Sequence, residues 1–424
     1  MKNEPKIRIK GFEGEWKETT LSDIATFSKG HGYSKNDLTN EKGSIPIILY
    51  GRMYTKYEAV ITEVDTFAYL RPNSVLSEGN EVIVPGSGET AEDISIASAI
   101  CSEGIIIGGD LNILKPNKRI FPPFLALNIT NSQAHYELST KAQGKTIVHL
   151  HNNDFKDVHI SFPSLREQHA IATYFRHLDS LIETADKKLA SLKQVKEASL
   201  QTMFPQEGQS VPKVRFKGFE GEWKKSPFSE VFMFLRNNSL SRAELNYKSG
   251  LAKDIHYGDV LIKFGEVINV NKETIPYIND NEISKNLISN GILEDGDIIF
   301  SDAAEDETVG KCSELYNVGN NKIVSGLHTV PCRPVIEFAS CYLGFYLNSK
   351  AYHNQLLPLI QGSKVSSLSK AAFINTYISY PKDLSEQRKL ASFFVHLDKQ
   401  IEIAQQRLAL LRRIKSACLD EMFV

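Results

Sequence analysis

Three short polar segments occur twice in this 424-residue chain, and their side chains suit contact with nucleic acid. The first, Leu49 to Tyr57 (LYGRMYTKY), matches His256 to Phe264 (HYGDVLIKF) at an offset of 207. Tyr50, Gly51 and Lys56 recur as Tyr257, Gly258 and Lys263, whereas Arg52 gives way to Asp259. The second shares an Ala-Glu-Asp core, Thr90 to Ala97 against Ala303 to Gly310. A Gly86-Ser87-Gly88 turn precedes it in the first copy and is missing from the second. The third is Gln143 to Leu150 (QGKTIVHL) against Gln361 to Leu368 (QGSKVSSL), at an offset of 218. Ammonium and hydroxyl groups contact phosphate, and side chains that differ between the copies are placed to read bases. Arginine fits guanine bidentately and aspartate accepts from cytosine, so Arg52 and Asp259 are expected to read different bases. The candidate contacts are Tyr50, Arg52, Lys56, Ser87, Thr90, Gln143, Lys145 and Thr146 in the first copy. In the second they are Tyr257, Asp259, Lys263, Gln361, Ser363 and Lys364. Ordinary turn chemistry at domain edges is the competing explanation for any one of them.

Four other patterns look catalytic and fail on inspection. Phe121-Pro122-Pro123-Phe124 is similar to the Asn/Asp-Pro-Pro-aromatic motif of amino-methyltransferases. Phe121, however, has no side-chain carbonyl to accept from a target amine, and no glycine-rich cofactor loop follows a strand. Gly144-Lys145-Thr146 ends like a phosphate-binding loop, but the earlier glycine that such a loop needs is Ser139. Glu15-Trp16-Lys17 and Glu222-Trp223-Lys224 mimic half of a nuclease metal site. No strand precedes Glu15 to bring a metal-binding aspartate, so Trp16 and Trp223 are expected to anchor the core. His149 and His151 become Ser367 and Ser369 in the second copy, which argues against a shared metal site. No catalytic set and no metal site is expected.

Composition narrows the class further. The formal net charge is −2, which excludes a protein that coats nucleic acid through a globally basic surface. A local basic face remains compatible with that total. The N-terminus carries no apolar stretch of signal-peptide length, and no window is apolar enough for a membrane span. Five scattered cysteines without a Cys-x-x-Cys pair suit buried thiols in a reducing compartment. A cytoplasmic protein is expected.

The elements that position the loops are duplicated too. Lys6 to Lys17 (KIRIKGFEGEWK) matches Lys213 to Lys224 (KVRFKGFEGEWK) at ten of twelve positions. Glu167 to Phe204 matches Glu386 to Phe423 at 18 of 38. Each half is domain-sized, far longer than a solenoid repeat. Pro163 and Pro381 close the variable regions, and Ser164 with Glu167, and Asp383 with Glu386, offer N-cap and capping-box chemistry. Apolar residues then alternate steps of four and three, as in a coiled-coil seam. They are Ile171, Phe175, Leu178, Ile182, Leu189 and Leu192 in one copy, and Leu390, Phe394, Leu397, Ile401, Leu408 and Leu411 in the other. Ala185 and Ala404 fill the intervening seam positions, and Lys196 and Lys415 add a polar residue able to set register. A helix of about 38 residues spans roughly 57 Å, more than one ~34 Å turn of duplex DNA.

The expected architecture is thus two mixed α/β (α+β) lobes related by a pseudo-twofold repeat and separated by two long antiparallel coiled-coil helices. The expected boundaries are 1–163 for the first lobe, 164–204 for the first helix and 205–215 for a Pro/Gly linker. The second lobe is 216–381 and the second helix 382–424.

This ordered duplicate set resembles the specificity subunit of Type I restriction–modification systems. The likeness covers essentially the whole chain. It is carried by the GFEGEW openings, by Ser164-Leu165-Arg166-Glu167-Gln168 and Leu384-Ser385-Glu386-Gln387, and by His-Leu-Asp at 177–179 and 396–398. It implies that each lobe recognises one half of a bipartite double-stranded DNA target, with the helices as spacer. It also implies two methyltransferase subunits docked on the chain and motor–nuclease subunits in the full complex. S-adenosylmethionine, ATP and Mg would sit on those partners and none on this chain. Two rival readings stand beside it: a self-sufficient DNA methyltransferase or nuclease with unfamiliar motifs, and a helical scaffold unrelated to DNA.

Overall fold

A computed structural model describes residues 3–362 and 364–424. The chain divides into two compact units, Met1–Asp186 with Gln406–Val424, and Lys187–Gln405. In the first, a five-stranded sheet orders Ala25–Lys29, Leu111–Pro116, Glu81–Pro85, Ser98–Ile100 and Val60–Ile61. A four-stranded sheet orders Phe67–Ala68, Ile45–Ile48, Glu103–Ile107 and Leu76–Glu78. Two short ladders complete it, Lys17–Thr20 with His159–Phe162 and Ser87–Gly88 with Val148–His149.

The second unit repeats this plan, except that the fourth strand of its four-stranded sheet joins the opposite edge. Leu245–Asn246 lies beside Tyr277–Ile278, where the first unit has Leu76–Glu78 beside Glu103–Ile107. Its five-stranded sheet orders Phe232–Phe234, Thr329–Pro334, Ile298–Ser301, Cys312–Tyr316 and Val267–Asn269. Its four-stranded sheet holds Leu245–Asn246, Tyr277–Ile278, Lys253–Ile255 and Ile323–Ser325. The ladders are Lys224–Pro227 with Tyr377–Tyr380 and Ala303–Ala304 with Ser366–Ser367. The duplication therefore runs through the regions whose sequences have diverged. The ladder at Ala303 forms without the Gly-Ser-Gly turn, because two residues of extended backbone are all that it requires.

The long helices run Leu165–Thr202 and Leu384–Met422. Within the first unit their contacts advance in opposite directions: Tyr174 meets Cys418 (3.3 Å), Asp179 meets Lys415 (2.5 Å) and Asp186 meets Arg412 (3.2 Å). The seam residues are buried or half-buried, as the four–three spacing requires. Both seam lysines find acids on the facing helix, Lys415 at Asp179, and Lys196 at Asp398 (2.6 Å) within the second unit. Those acids are the last residues of the His-Leu-Asp pair. A half-buried charge that must meet its partner penalises a slipped register.

The expected N-caps form, Ser164 accepting from Glu167 N (3.4 Å) and Asp383 from Ser385 N (2.7 Å), but the glutamate half of each capping box is corrected. Glu167 and Glu386 turn away from their own helix starts and take bidentate bonds from Arg8 (2.7 and 2.8 Å) and Arg215 (2.8 and 2.9 Å). A charge-assisted fork outcompetes a bond to a neutral backbone N–H. Each arginine also donates to the turn of its opening motif, at Gly14 and Glu13 or at Gly221 and Glu220. The following glutamine fixes the next layer. Gln168 accepts from Phe121 N (2.8 Å), and Gln387 accepts from Ala339 N (2.9 Å). Phe121-Pro122-Pro123-Phe124 is thereby the pinned start of the buried helix Pro122–Asn131. Trp16 and Trp223 are core residues, each edge-on to the aromatic that ends a long helix, Phe423 or Phe204.

Candidate nucleic-acid interface

The paired short ladders gather the predicted loops within each unit. In the first, the Tyr54 hydroxyl donates to the Ser87 carbonyl (2.6 Å), with the exposed Tyr50 ring edge-on to Tyr54 at 6.4 Å. The Ser87 hydroxyl bonds His149 Nδ1 (2.9 Å), whose ring lies parallel to that of His151. Thr90 caps the helix Ala91–Ile94 and accepts from Asp93 N (3.0 Å). Gln143 and His149 exchange backbone bonds (3.1 and 2.8 Å), closing a hairpin with Lys145 and Thr146 exposed at its tip. Gly144 is obligatory there, since a Cβ would lie 1.9 Å from the Ile147 carbonyl. Burial and a nearby Asp93 push the Tyr54 phenol well above its ordinary range, so it stays a donor.

The second unit rebuilds the cluster with other side chains. Gln361 and Ser367 exchange backbone bonds (3.0 and 2.8 Å), and Lys364 is exposed at the hairpin tip. Ser363 lies outside the described residues. The Tyr257 ring stands edge-on to His328 at 5.3 Å, and His328 Nδ1 lies 3.2 Å from Asp302.

Two expectations require correction. Arg52 is only 8% exposed and is spent on Glu58 (2.5 Å), Asp65 (3.1 Å) and the Glu63 carbonyl. Asp259 is buried and held bidentately by Arg242 (3.0 and 2.9 Å). Neither has a free edge to offer a base, so the Arg-to-Asp difference reflects two ways of bracing one loop. Lys56 pairs with Asp65 (3.1 Å), and Lys263 donates to the Thr274 carbonyl while lying over the Tyr247 ring. These two lysines brace as well. Tyr50, Lys145, Thr146 and Lys364 keep exposed side chains at the cluster, beside Gln143 and Gln361. Ser87 and Thr90 sit there too, both engaged in local bonds.

The geometry also brings forward residues that sequence motifs passed over: Lys29, Asp110, Asp302 and His328. Asp110 and His328 have left-handed backbones (φ 63° and 53°), which their residue types tolerate but do not announce. An open cleft of about 490 Å³ beside His328 is lined by Asn237, Asn238, Ser239, Asp302 and Leu327 among others. Beneath it Asn238 donates to Asp254 (2.6 Å), whose carboxyl is raised to about 7 by burial, against the pull of that amide bond. An acid whose folded value lies above its ordinary 3.8 stabilises fully below that value and loses the contribution as pH rises through about 7. The second unit is therefore expected to weaken between pH 5 and 8, and Asp254→Asn to flatten that dependence. Urea unfolding of both proteins at the two pH values checks this, and equal slopes would sink it.

With the geometry in place, comparison with known proteins identifies its class. The family model described as the Type I restriction modification DNA specificity domain matches residues 13–194 and again 220–413. The chain belongs to that family. The Type I restriction enzyme EcoKI specificity subunit of Escherichia coli (strain K12) is 20% identical, covering 96% of this chain and 88% of that protein. The MjaVIII specificity subunit of Methanocaldococcus jannaschii is 21% identical over 84% of this chain and 80% of its own length. Among solved structures, the Type I restriction–modification S subunit from M. genitalium superposes with a TM-score of 0.59 at 15% identity, covering 99% of both chains. A structure of Type I complex assembly and conformational transition gives 0.53 at 15% identity, covering 96% and 97%. Both likenesses support the same fold. For this specificity-domain chain, the duplicated loop clusters are the candidate DNA surface. Among the described residues no helix is long and apolar enough to cross a membrane.

Proposed function

We propose that this chain is the sequence-reading subunit of a Type I restriction–modification complex, each lobe reading one half of a split DNA target. The observation that carries the reading is the loop cluster built twice on one sheet scaffold with different exposed side chains. A shared scaffold gives both lobes the same approach to a duplex, and the substitutions give them different sequences to read. The helices serve as the spacer that sets the unread gap and as the platform on which two methyltransferase subunits dock. Motor–nuclease subunits join for restriction, in the cytoplasm. The chain itself is non-catalytic, and S-adenosylmethionine, ATP and Mg belong to its partners. Co-expression with cognate methyltransferase subunits is expected to yield a complex that protects two separated half-sites in a footprint. One continuous protected stretch, or none, overturns the reading.

The hairpin tips supply phosphate contacts in this scheme. Each lysine that neutralises a phosphate contributes about 0.9 to the slope of log affinity against log salt. Lys145→Gln and Lys364→Gln are each expected to lower that slope by about 0.9, without changing the preferred bases. Binding titrations across a salt series measure it, and an unchanged slope removes these lysines from the contact set.

A further inference from the structure

We infer that Asp110 in the first lobe and His328 in the second determine base specificity, one turn presenting a carboxylate to one half-site and an imidazole to the other. The inference rests on the DNA-reading function above and assigns its discriminating residues.

Both residues end the turn between equivalent strands, Glu103–Ile107 to Leu111–Pro116 and Ile323–Ser325 to Thr329–Pro334. The turn opens on a glycine that sterics demand. A Cβ at Gly108 would lie 2.9 Å from the Ile48 carbonyl, and one at Gly326 would lie 2.8 Å from the Ile255 carbonyl. Each of these glycines donates its N–H to that same carbonyl at 2.9 Å. The turn closes on a second shared bond: Gly86 N donates to the Asp110 carbonyl (2.7 Å), and Asp302 N donates to the His328 carbonyl (3.1 Å). The backbone is one device that opens on glycine in both lobes, while the side chains change at its middle, Gly109 to Leu327, and at its end, Asp110 to His328.

That side chain stands where glycine would be easier. With φ at 63° and 53°, both residues occupy the left-handed region, which glycine enters without steric cost. Neither lobe uses glycine there, and neither buries the side chain: Asp110 is 33% exposed, and His328 is 52% exposed although its ring meets that of Tyr257. A strained position that keeps a solvent-facing side chain in both lobes points to function.

The surroundings change in step. Asp110 lies 3.7 Å from Lys29, and a Cβ on Gly86 would come within 2.7 Å of its carboxylate. At the equivalent of Gly86 the second lobe places Asp302, whose carboxylate lies 3.2 Å from His328 Nδ1. Each lobe has matched the neighbour to the turn residue. Among the described residues the cleft at His328 is lined by amides, a hydroxyl, a carboxylate and an imidazole beside the aliphatic Leu240, Ile283, Leu287 and Leu327, with no lysine or arginine. Such a mixture of donors and acceptors suits base edges rather than phosphate. A carboxylate accepts from the exocyclic amine of cytosine or adenine, and an imidazole N–H donates to the acceptors of a purine.

The test uses the full chain with its methyltransferase subunits, selecting bound sequences from a randomised duplex library. Asp110→Gly and His328→Gly preserve the turn, because glycine tolerates its dihedral angles, and thermal unfolding verifies that each variant folds like the wild type. Each is expected to relax one base position in one half-site by about five- to a hundred-fold, leaving the other half-site unchanged. Asp110→Asn is expected to change the base preferred at that same position. If the wild type selects a split sequence and both glycine variants select it with equal stringency, the inference fails while the proposed function stands. Equal relaxation at both half-sites also overturns it. A wild type that selects no split sequence overturns both.

Discussion

Replacing Arg8 by alanine is expected to destabilise the first unit by about 3–5 kcal/mol, and Arg215→Ala to do the same to the second. The cost arises less from the lost bonds than from what stays behind. Glu167 and Glu386 are each 2% exposed, and without the guanidinium each becomes a buried, unpaired carboxylate. The lower half of the range applies, because the arginine side chains are themselves partly solvated at 17%. The opening motif should loosen in the same step, since the guanidinium also holds the carbonyls of Glu13 and Gly14. Arg8→Lys is expected to recover only part of the loss, as an ammonium cannot reproduce the fork. Arg8→Met combined with Glu167→Gln should recover more than Arg8→Met alone, because no charge is stranded. Chemical denaturation of the full chain measures all of these. A loss below about 1 kcal/mol for Arg8→Ala would show an exposed ion pair of ordinary weakness.

Phe204→Ala is expected to cost the second unit about 3–5 kcal/mol, the usual price of deleting a fully buried aromatic ring. Phe204 follows the last turn of the first long helix and has no exposed surface. It stacks on Phe394 (5.6 Å) and meets the edges of Trp223, Tyr342 and Tyr346 at 5.6–6.2 Å. Its counterpart Phe423 fills the same niche in the first unit, against Trp16, Phe124 and Phe175. Each lobe's core is thus completed by the end of the helix that grew from the other repeat. Hydrogen exchange on the full chain is expected to lose protection in the second unit for Phe204→Ala and in the first for Phe423→Ala. Loss confined to the opposite unit in either variant would refute this exchange of core residues.

Much of this is legible in the sequence. The twin openings, the seam from Ile171 to Leu192 and from Leu390 to Leu411, and the lysines at 196 and 415 all depend on spacing along one chain. Helical spacing is local, so the periodicity carried through to seams that are buried or half-buried along their length. Trp16 and Trp223 were likewise placed in the core by a chemistry that few surface sites accommodate. Within the first unit the loops around Ser87 and His149 meet through one short ladder, and within the second those around Ala303 and Ser367 meet through another. Individual members fared differently. Arg52 and Asp259 looked like base readers because charged side chains in a loop usually face water. Glu58, Asp65 and Arg242, which claim them, are brought there by the fold.

The amino-acid sequence by itself determined the duplication, the two long helices with their register, and which loops are built alike in the two lobes. Each of those follows from patterns that neighbouring residues impose on one another. Tertiary structure alone decided which charges brace the loops and which remain free. It alone decided that Glu167 would hold Arg8 instead of completing a capping box, and that Asp110 and His328 would occupy equivalent strained turns. Arg8 and Glu167 are 159 residues apart, where distance in sequence carries no information about distance in space. Even the nearer partners of Arg52 and Asp259 are chosen by how the folded loop turns rather than by spacing.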